Sequence, residues 1–179
     1  MTTGHKKPSS NTQTRKLYRD VLERLGSKFN KRMEDKPSVD KSHDVPYLAG
    51  YSKDGNTIYV DRHVPLRMGK IDILPYLLEH EHSEKTLMDM AGLSYEQAHA
   101  IATMLEHKLI EKEGETTPKE YEAYLRDYIK TAQHEKLTKL PQDLDFTPYK
   151  ESKDYDLLKR MHDAQHAEPA KKEKRNAKS

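Results

Sequence analysis

Histidine and glutamate side chains are concentrated in one part of the chain, where four of its ten histidines lie between residues 80 and 107. A helix through the start of this segment places His80 and Glu84 one turn apart, so that their side chains project side by side and could hold one metal ion. Glu81 points to an adjacent sector, from which a carboxylate can take a proton from a water molecule activated by that metal. The spacing therefore predicts a metal centre with Glu81 as its general base.

These polar side chains fall on the face of the helix that should be buried. The leucines before and after them form an apolar stripe, and steps of three and four residues carry this stripe through His80, Glu81 and Glu84. A buried carboxylate without a partner is costly, so these groups must be paired or bound to a cation. Three other polar residues lie further round the helix and are expected in solvent: Glu79, His82 and Lys85.

Two consecutive helices are predicted to position this site. The first spans about 72–91, with Asp72 as its N-cap, and ends at Gly92. The second follows at once over about 94–113 and begins with a capping-box pattern at Ser94. Such a tight turn favours an antiparallel helix pair.

Positions equally far from the turn come together in an antiparallel pair, so the second helix should supply a further ligand. This geometry puts Glu84 near Thr103 and His80 near His107. The candidates for the further ligand are His99, Glu106 and His107. We expect His99 or Glu106 to complete the site.

The N-terminal part of the chain is predicted to hold one helix and one β-hairpin. Residues 1–13 are polar, lack periodicity and indicate a disordered tail, whereas 15–33 have the spacing of an amphipathic helix. A charged linker over 36–46 precedes the hairpin at about 47–62. An Asp-Gly pair at 54–55 marks its turn.

The C-terminal part is predicted to be helical at both ends. A third helix starts at Thr117, which is followed by proline at the first helical position. Residues 137–150 are expected to be extended and to wrap the surface. Ser152 should cap a last short helix, with Tyr155 among its inward residues, and 167–179 form a basic disordered tail.

The composition is that of a polar chain with a small core. Of 179 residues, 34% are hydrophobic and 35% are charged, so we expect disordered ends around a single domain over 14–166. The expected fold class is α+β and mostly α-helical, with one β-hairpin packed against a core of four to five helices.

The same composition excludes several classes of function. The absence of cysteine rules out disulfides, zinc fingers, iron–sulfur clusters and thiol catalysis. A net charge of +2 gives no general attraction to nucleic acid, which we consider an unlikely partner. The apolar runs are too short for a transmembrane helix, and the start of the chain lacks the pattern of a secretory signal. We therefore expect a cytoplasmic protein.

The segment His80-Glu81-His82-Ser83-Glu84 resembles the HExxH helix of zincin metallopeptidases. The resemblance implies that His80 is the first metal ligand and Glu81 the general base, with Glu84 in the place of the second histidine. It implies zinc, while the extra carboxylate opens the site to manganese or iron. It also implies that an extended peptide substrate binds along a strand edge beside this helix, which would be residues 57–61 here.

Two other interpretations remain open. Two Glu-x-x-His motifs, at 79–82 and 96–99, have the spacing used by di-metal carboxylate bundles. Alternatively, the histidines and glutamates form a buried network in a non-catalytic binding or structural accessory protein of the phage or plasmid type. The expectation favoured here is a metal-dependent, peptidase-like hydrolase.

Overall fold

The computed structural model describes residues 10–132 and 137–166. The fold class is α+β and mostly helical, as predicted. Within the described residues there are seven helices: α1 (Ser10–Leu25), α2 (Ser27–Glu34), α3 (Leu74–Ala91), α4 (Tyr95–Glu113), α5 (Pro118–Ala132), α6 (Thr147–Glu151) and α7 (Tyr155–His166). They are accompanied by five short strands: β1 (Ser38–Asp40), β2 (Ala49–Tyr51), β3 (Thr57–Val60), β4 (Arg67–Met68) and β5 (Ile71–Asp72). Residues 1–9 and 167–179, which include most of the two predicted tails, lie outside the described residues.

The predicted hairpin is present as β2 and β3, which pair antiparallel with Gly50 opposite Tyr59. The prediction of a linker over 36–46 is wrong, because β1 lies within it and pairs parallel to β3. This strand has only three residues and exposes most of them, so it lacks the alternation that identifies a strand. The sheet order is β1-β3-β2, and β3 is therefore a central strand.

The central position of β3 overturns one expectation about substrate binding. Residues 57–61 were expected to offer a free strand edge to an extended peptide. In the structure β1 covers one side of β3 and β2 covers the other. The backbone groups of this strand are thus already used within the sheet.

The helix predicted over 15–33 is divided into two helices, α1 and α2. Gly26 adopts φ 47°, a left-handed conformation that ends α1, and α2 starts directly after it. The apolar spacing continues across this break, with Val21 and Phe29 buried in one cluster, which is why the sequence pattern does not show it. Helix α1 also begins at Ser10, so residues 10–13 are helical rather than part of a tail.

The helix pair that carries the candidate site forms as predicted. Gly92 ends α3 with φ 63°, and Ser94 begins α4 with a complete capping box. Asp72 lies in β5 and is not the N-cap of α3, which begins at Leu74, because residues 67–72 form a second small hairpin. Its carboxylate still accepts a hydrogen bond from the Leu74 amide at 3.0 Å.

Helix α3 crosses two separate parts of the core. Tyr76 and Leu77 pack in a cluster with the sheet and α5, whereas Leu87 and Ala91 pack in another with α1 and α2. The polar segment 80–84 lies on the helix between these two apolar contacts. This placement leaves room for polar groups on an otherwise buried helix.

The C-terminal segment contributes to the core, contrary to expectation. Residues 137–150 do not only wrap the surface: Leu140, Leu144 and Tyr149 are buried in one cluster, and 147–151 form α6. Helix α7 begins at Tyr155 rather than near Ser152, and this tyrosine is 69% exposed, because α7 turns its other face inward. The buried residues of α7 are Leu157 and Met161.

Among the described residues, none of the helices has both the length and the apolar composition needed to cross a bilayer.

Candidate metal centre

Three side chains from two helices converge on one point. His80 and Glu84 come from α3 and His99 comes from α4. The Glu84 Oε2 atom lies 3.5 Å from His80 Nε2 and 2.8 Å from His99 Nδ1, and the two ring nitrogens are 3.1 Å apart. Two ligands that bind zinc at about 2.0–2.1 Å in tetrahedral geometry lie about 3.3 Å from each other. The three atoms are thus close to the spacing that one shared cation requires.

Glu106 lies behind His80 and outside this group of ligand atoms. Its Oε2 accepts a hydrogen bond from His80 Nδ1 at 3.1 Å, and Tyr121 donates to its Oε1 at 2.6 Å. Of the two residues expected to complete the site, His99 is therefore the one whose ring nitrogen joins the group of candidate ligand atoms. In protein metal sites a carboxylate commonly binds the far nitrogen of a metal-binding histidine, because it fixes the ring and its tautomer.

The second oxygen of Glu84 is also held. The buried Tyr51 hydroxyl, which comes from β2, donates a hydrogen bond to Glu84 Oε1 at 2.9 Å. This bond leaves Oε2 directed at the two imidazoles. The sequence does not identify Tyr51 and Tyr121 as part of this cluster, because they lie on other elements, far from the histidines along the chain.

The charged groups of this cluster shift the pKa values of one another. Burial alone would raise the pKa of Glu84, but hydrogen bonds from His80 and His99 outweigh it and lower this pKa to about 2. Burial opposes the charged form of His80, yet its hydrogen bonds with Glu106 and Glu84 raise its pKa well above the usual value. At neutral pH Glu84 is thus an anion and His80 a cation, so a metal ion bound here would displace a proton from His80.

Glu81 is the one carboxyl group of this cluster that has no hydrogen bond to a described residue. It lines the cavity beside His80 and Glu84. Burial, followed by the negative charge of Glu84, raises the pKa of Glu81 to about 8. A carboxyl group with this pKa is mostly protonated at pH 7, and its pKa lies near the range in which side chains exchange protons during catalysis.

The cluster opens into a cavity of about 660 Å³, within the range of small-molecule sites. Its lining includes tyrosines from β2, α4, α5 and α6, together with further side chains of α5. The hydroxyl of the buried Tyr149 has no hydrogen bond to a described residue, and burial, then Glu81, raises its pKa. The ring of His99 is 48% exposed, so a cation and a substrate can reach the site from solvent.

Several polar residues of α3 and α4 do not reach this cavity. His82 is buried, and its Nε2 lies 2.9 Å from the backbone oxygen of Arg32. Lys85 is buried too and pairs with Asp145 at 2.9 Å. Both were expected in solvent, but α2 and the 137–150 segment cover that face of α3.

The two Glu-x-x-His motifs are not brought together. Glu96 is exposed, Glu79 does not line the cavity, and His82 faces α2 rather than His99. The described residues thus give no support to a di-metal centre built from these motifs. His107 lines the cavity, but its Nε2 lies 3.0 Å from Glu122 and does not join the ligand cluster.

Comparison with protein-family models, with curated proteins and with solved structures finds no match for this chain.

Proposed function

We propose that the protein is a metal-dependent hydrolase in which His80, Glu84 and His99 bind one divalent cation. The observation that carries this proposal is the convergence of three ligand atoms, 2.8–3.5 Å apart, with Glu84 and His80 each oriented by a further side chain. Hydrogen bonds of this kind behind the ligands are typical of protein metal sites.

Two imidazoles and one carboxylate form a donor set suited to zinc, with manganese or iron as alternatives. A cation bound there would polarise a substrate carbonyl and make a water molecule more acidic. Three protein ligands would leave one coordination position of a zinc ion for water or substrate, as in catalytic sites.

Glu81 is proposed as the general base. Its carboxylate faces the same cavity, and its raised pKa suits it to accept a proton from water and to return it to a leaving group. A positive ion in the cluster would lower this pKa towards neutrality, since it would offset the charge of Glu84. The resemblance of residues 80–84 to the zincin helix supports the same roles, with an amide bond as the expected target.

The first experiment measures metal in protein purified without a histidine tag. We expect about one equivalent of zinc, manganese or iron in the wild type, and its loss in His80→Ala and His99→Ala. Glu81→Gln should keep the metal but lose hydrolysis of 4-nitrophenyl acetate. Glu79→Gln is the matched control, because it makes the same substitution two residues away on α3 and outside the cavity.

A second candidate function is non-catalytic binding, with the polar residues as a structural network. It is favoured by the fact that His80, Glu84, His99 and Glu106 all have partners without a cation. It requires that the native protein carries no metal and that His80→Ala and Glu84→Gln destabilise the fold. Bound metal in the wild type, together with folded ligand variants, would exclude it.

A further inference from the structure

Helix α5 brings positive charge to the lining of the cavity. Arg126 and Lys130 line the cavity together with Leu125 and Ile129. The same cavity is lined by Glu81 and by the candidate metal ligands. Basic, apolar and metal-binding side chains thus share one cavity.

Arg126 has no carboxylate partner among the described residues. The acid one helical turn before it, Glu122, lies 3.0 Å from His107 Nε2 instead. Lys130 has a long contact of 3.8 Å with Asp127, and both side chains are largely exposed. A guanidinium without an ionic partner in a cavity wall can bind a carboxylate through two parallel hydrogen bonds.

The distance along α5 sets the size of the ligand. Tyr121 is the residue of α5 that bonds to Glu106, which in turn contacts His80. Arg126 lies five residues further on, about 7.5 Å along the helix axis. This separation accommodates one or two amino-acid units, with their apolar parts against Leu77 and Leu125.

We propose that the substrate is a small amide with a free carboxylate, such as a short acylated peptide, and that Arg126 binds this carboxylate with help from Lys130. The inference rests on the proposed function. In the reaction the oxygen of water bonds to the amide carbonyl carbon and the C–N bond breaks. The nitrogen leaves as an amine with a proton from the water, and the carbonyl becomes a carboxylic acid.

The test compares a set of N-acetylated dipeptides that have free carboxylates with the same dipeptides as carboxamides. Binding to zinc-loaded Glu81→Gln protein is measured by calorimetry, and hydrolysis by zinc-loaded wild type is followed by mass spectrometry. We expect the free acids to be preferred by about 10-fold or more, because one charged hydrogen-bonded pair is lost in the carboxamides.

Arg126→Ala should remove this preference, and Arg126→Lys should restore part of it, since lysine keeps the charge but not the bidentate geometry. Arg19→Ala, at an exposed position on α1, is the matched control and should keep the full preference. The inference would be overturned if the affinities for the free acids and the carboxamides were equal, or if neither set of dipeptides were bound. A preference that survives in Arg126→Ala would also overturn it. A protein that binds no zinc would instead overturn the proposed function itself.

Discussion

At the scale of single residues, the candidate metal centre is a set of side chains that orient one another through hydrogen bonds. The sequence could predict that His80, Glu81 and Glu84 share one face of a helix, because helical spacing alone determines this. It could not choose between His99 and Glu106 as the third candidate ligand, since the choice depends on how α4 is rotated against α3. It also could not find Tyr51 and Tyr121, which reach Glu84 and Glu106 from β2 and α5.

The hydrogen bond between Glu106 and His80 leads to a prediction about metal affinity. Glu106→Gln keeps the shape of the side chain but removes the charge that holds the His80 ring. We expect zinc affinity to fall about 10- to 100-fold, with an unchanged fold by circular dichroism. Competition with a fluorescent chelator measures the affinity.

Glu122→Gln, also on the cavity wall, is the control and should bind zinc like the wild type. Unchanged affinity in Glu106→Gln would show that Glu106 does not support the metal ligand.

At the scale of elements, the site depends on the turn between α3 and α4. The cap residues were readable in the sequence, and Gly92 and Ser94 occupy the predicted cap positions. The short strands β1, β4 and β5 were not predicted, because strands of two or three residues carry no periodicity. The break at Gly26 was hidden for the opposite reason, since the apolar spacing continues through it.

Gly92 allows a prediction about the stability of this turn. Its φ of 63° is left-handed, and a Cβ added there would meet no atom within 4 Å, so the cost of a side chain is purely conformational. We expect Gly92→Ala to lower the free energy of unfolding by about 1 kcal/mol. Urea denaturation provides the measurement.

Gly92→Asn is the companion variant and should cost less, because asparagine tolerates this conformation better than alanine. If both variants matched the wild type, the left-handed cap would not contribute to stability.

At the scale of the whole molecule, the buried carboxylate of Asp44 binds the 137–150 segment. Asp44 accepts hydrogen bonds from the Thr138 amide at 2.6 Å and from the Lys139 amide at 2.8 Å, and it pairs with Arg62 at 2.6 Å. These long-range contacts explain why the segment was wrongly predicted to lie on the surface. Its prolines and polar residues indicate a loop, and its partners lie about 90 positions away in the sequence.

Asp44 leads to a prediction about acid stability. Burial alone would raise its pKa, but the hydrogen bonds from Thr138 and Lys139 and the charge of Arg62 lower it below the usual value. Because the folded pKa is lower than the unfolded one, the contribution to stability is present above about pH 4 and is lost as the pH falls through the folded value. Asp44→Asn should thus be less stable than the wild type at pH 7, by about 1–3 kcal/mol.

The difference between Asp44→Asn and the wild type should shrink below pH 4, as followed by urea unfolding across a pH series. Asp20→Asn, at an exposed position on α1, is the control and should follow the wild type at every pH. A deficit in Asp44→Asn that stayed constant down to pH 2 would contradict this assignment.

The connection of only three residues between α3 and α4 bears on how related sequences can be recognised. Within either helix, one residue inserted between Glu84 and His99 would rotate one of these side chains by about 100° relative to the other and separate them. The intervals of 15 residues from Glu84 to His99, 19 from His80 to His99 and 26 from His80 to Glu106 are therefore tied to the geometry. Related proteins that no longer share overall sequence similarity should still keep these intervals. A search for the spacing of these residues should therefore find them.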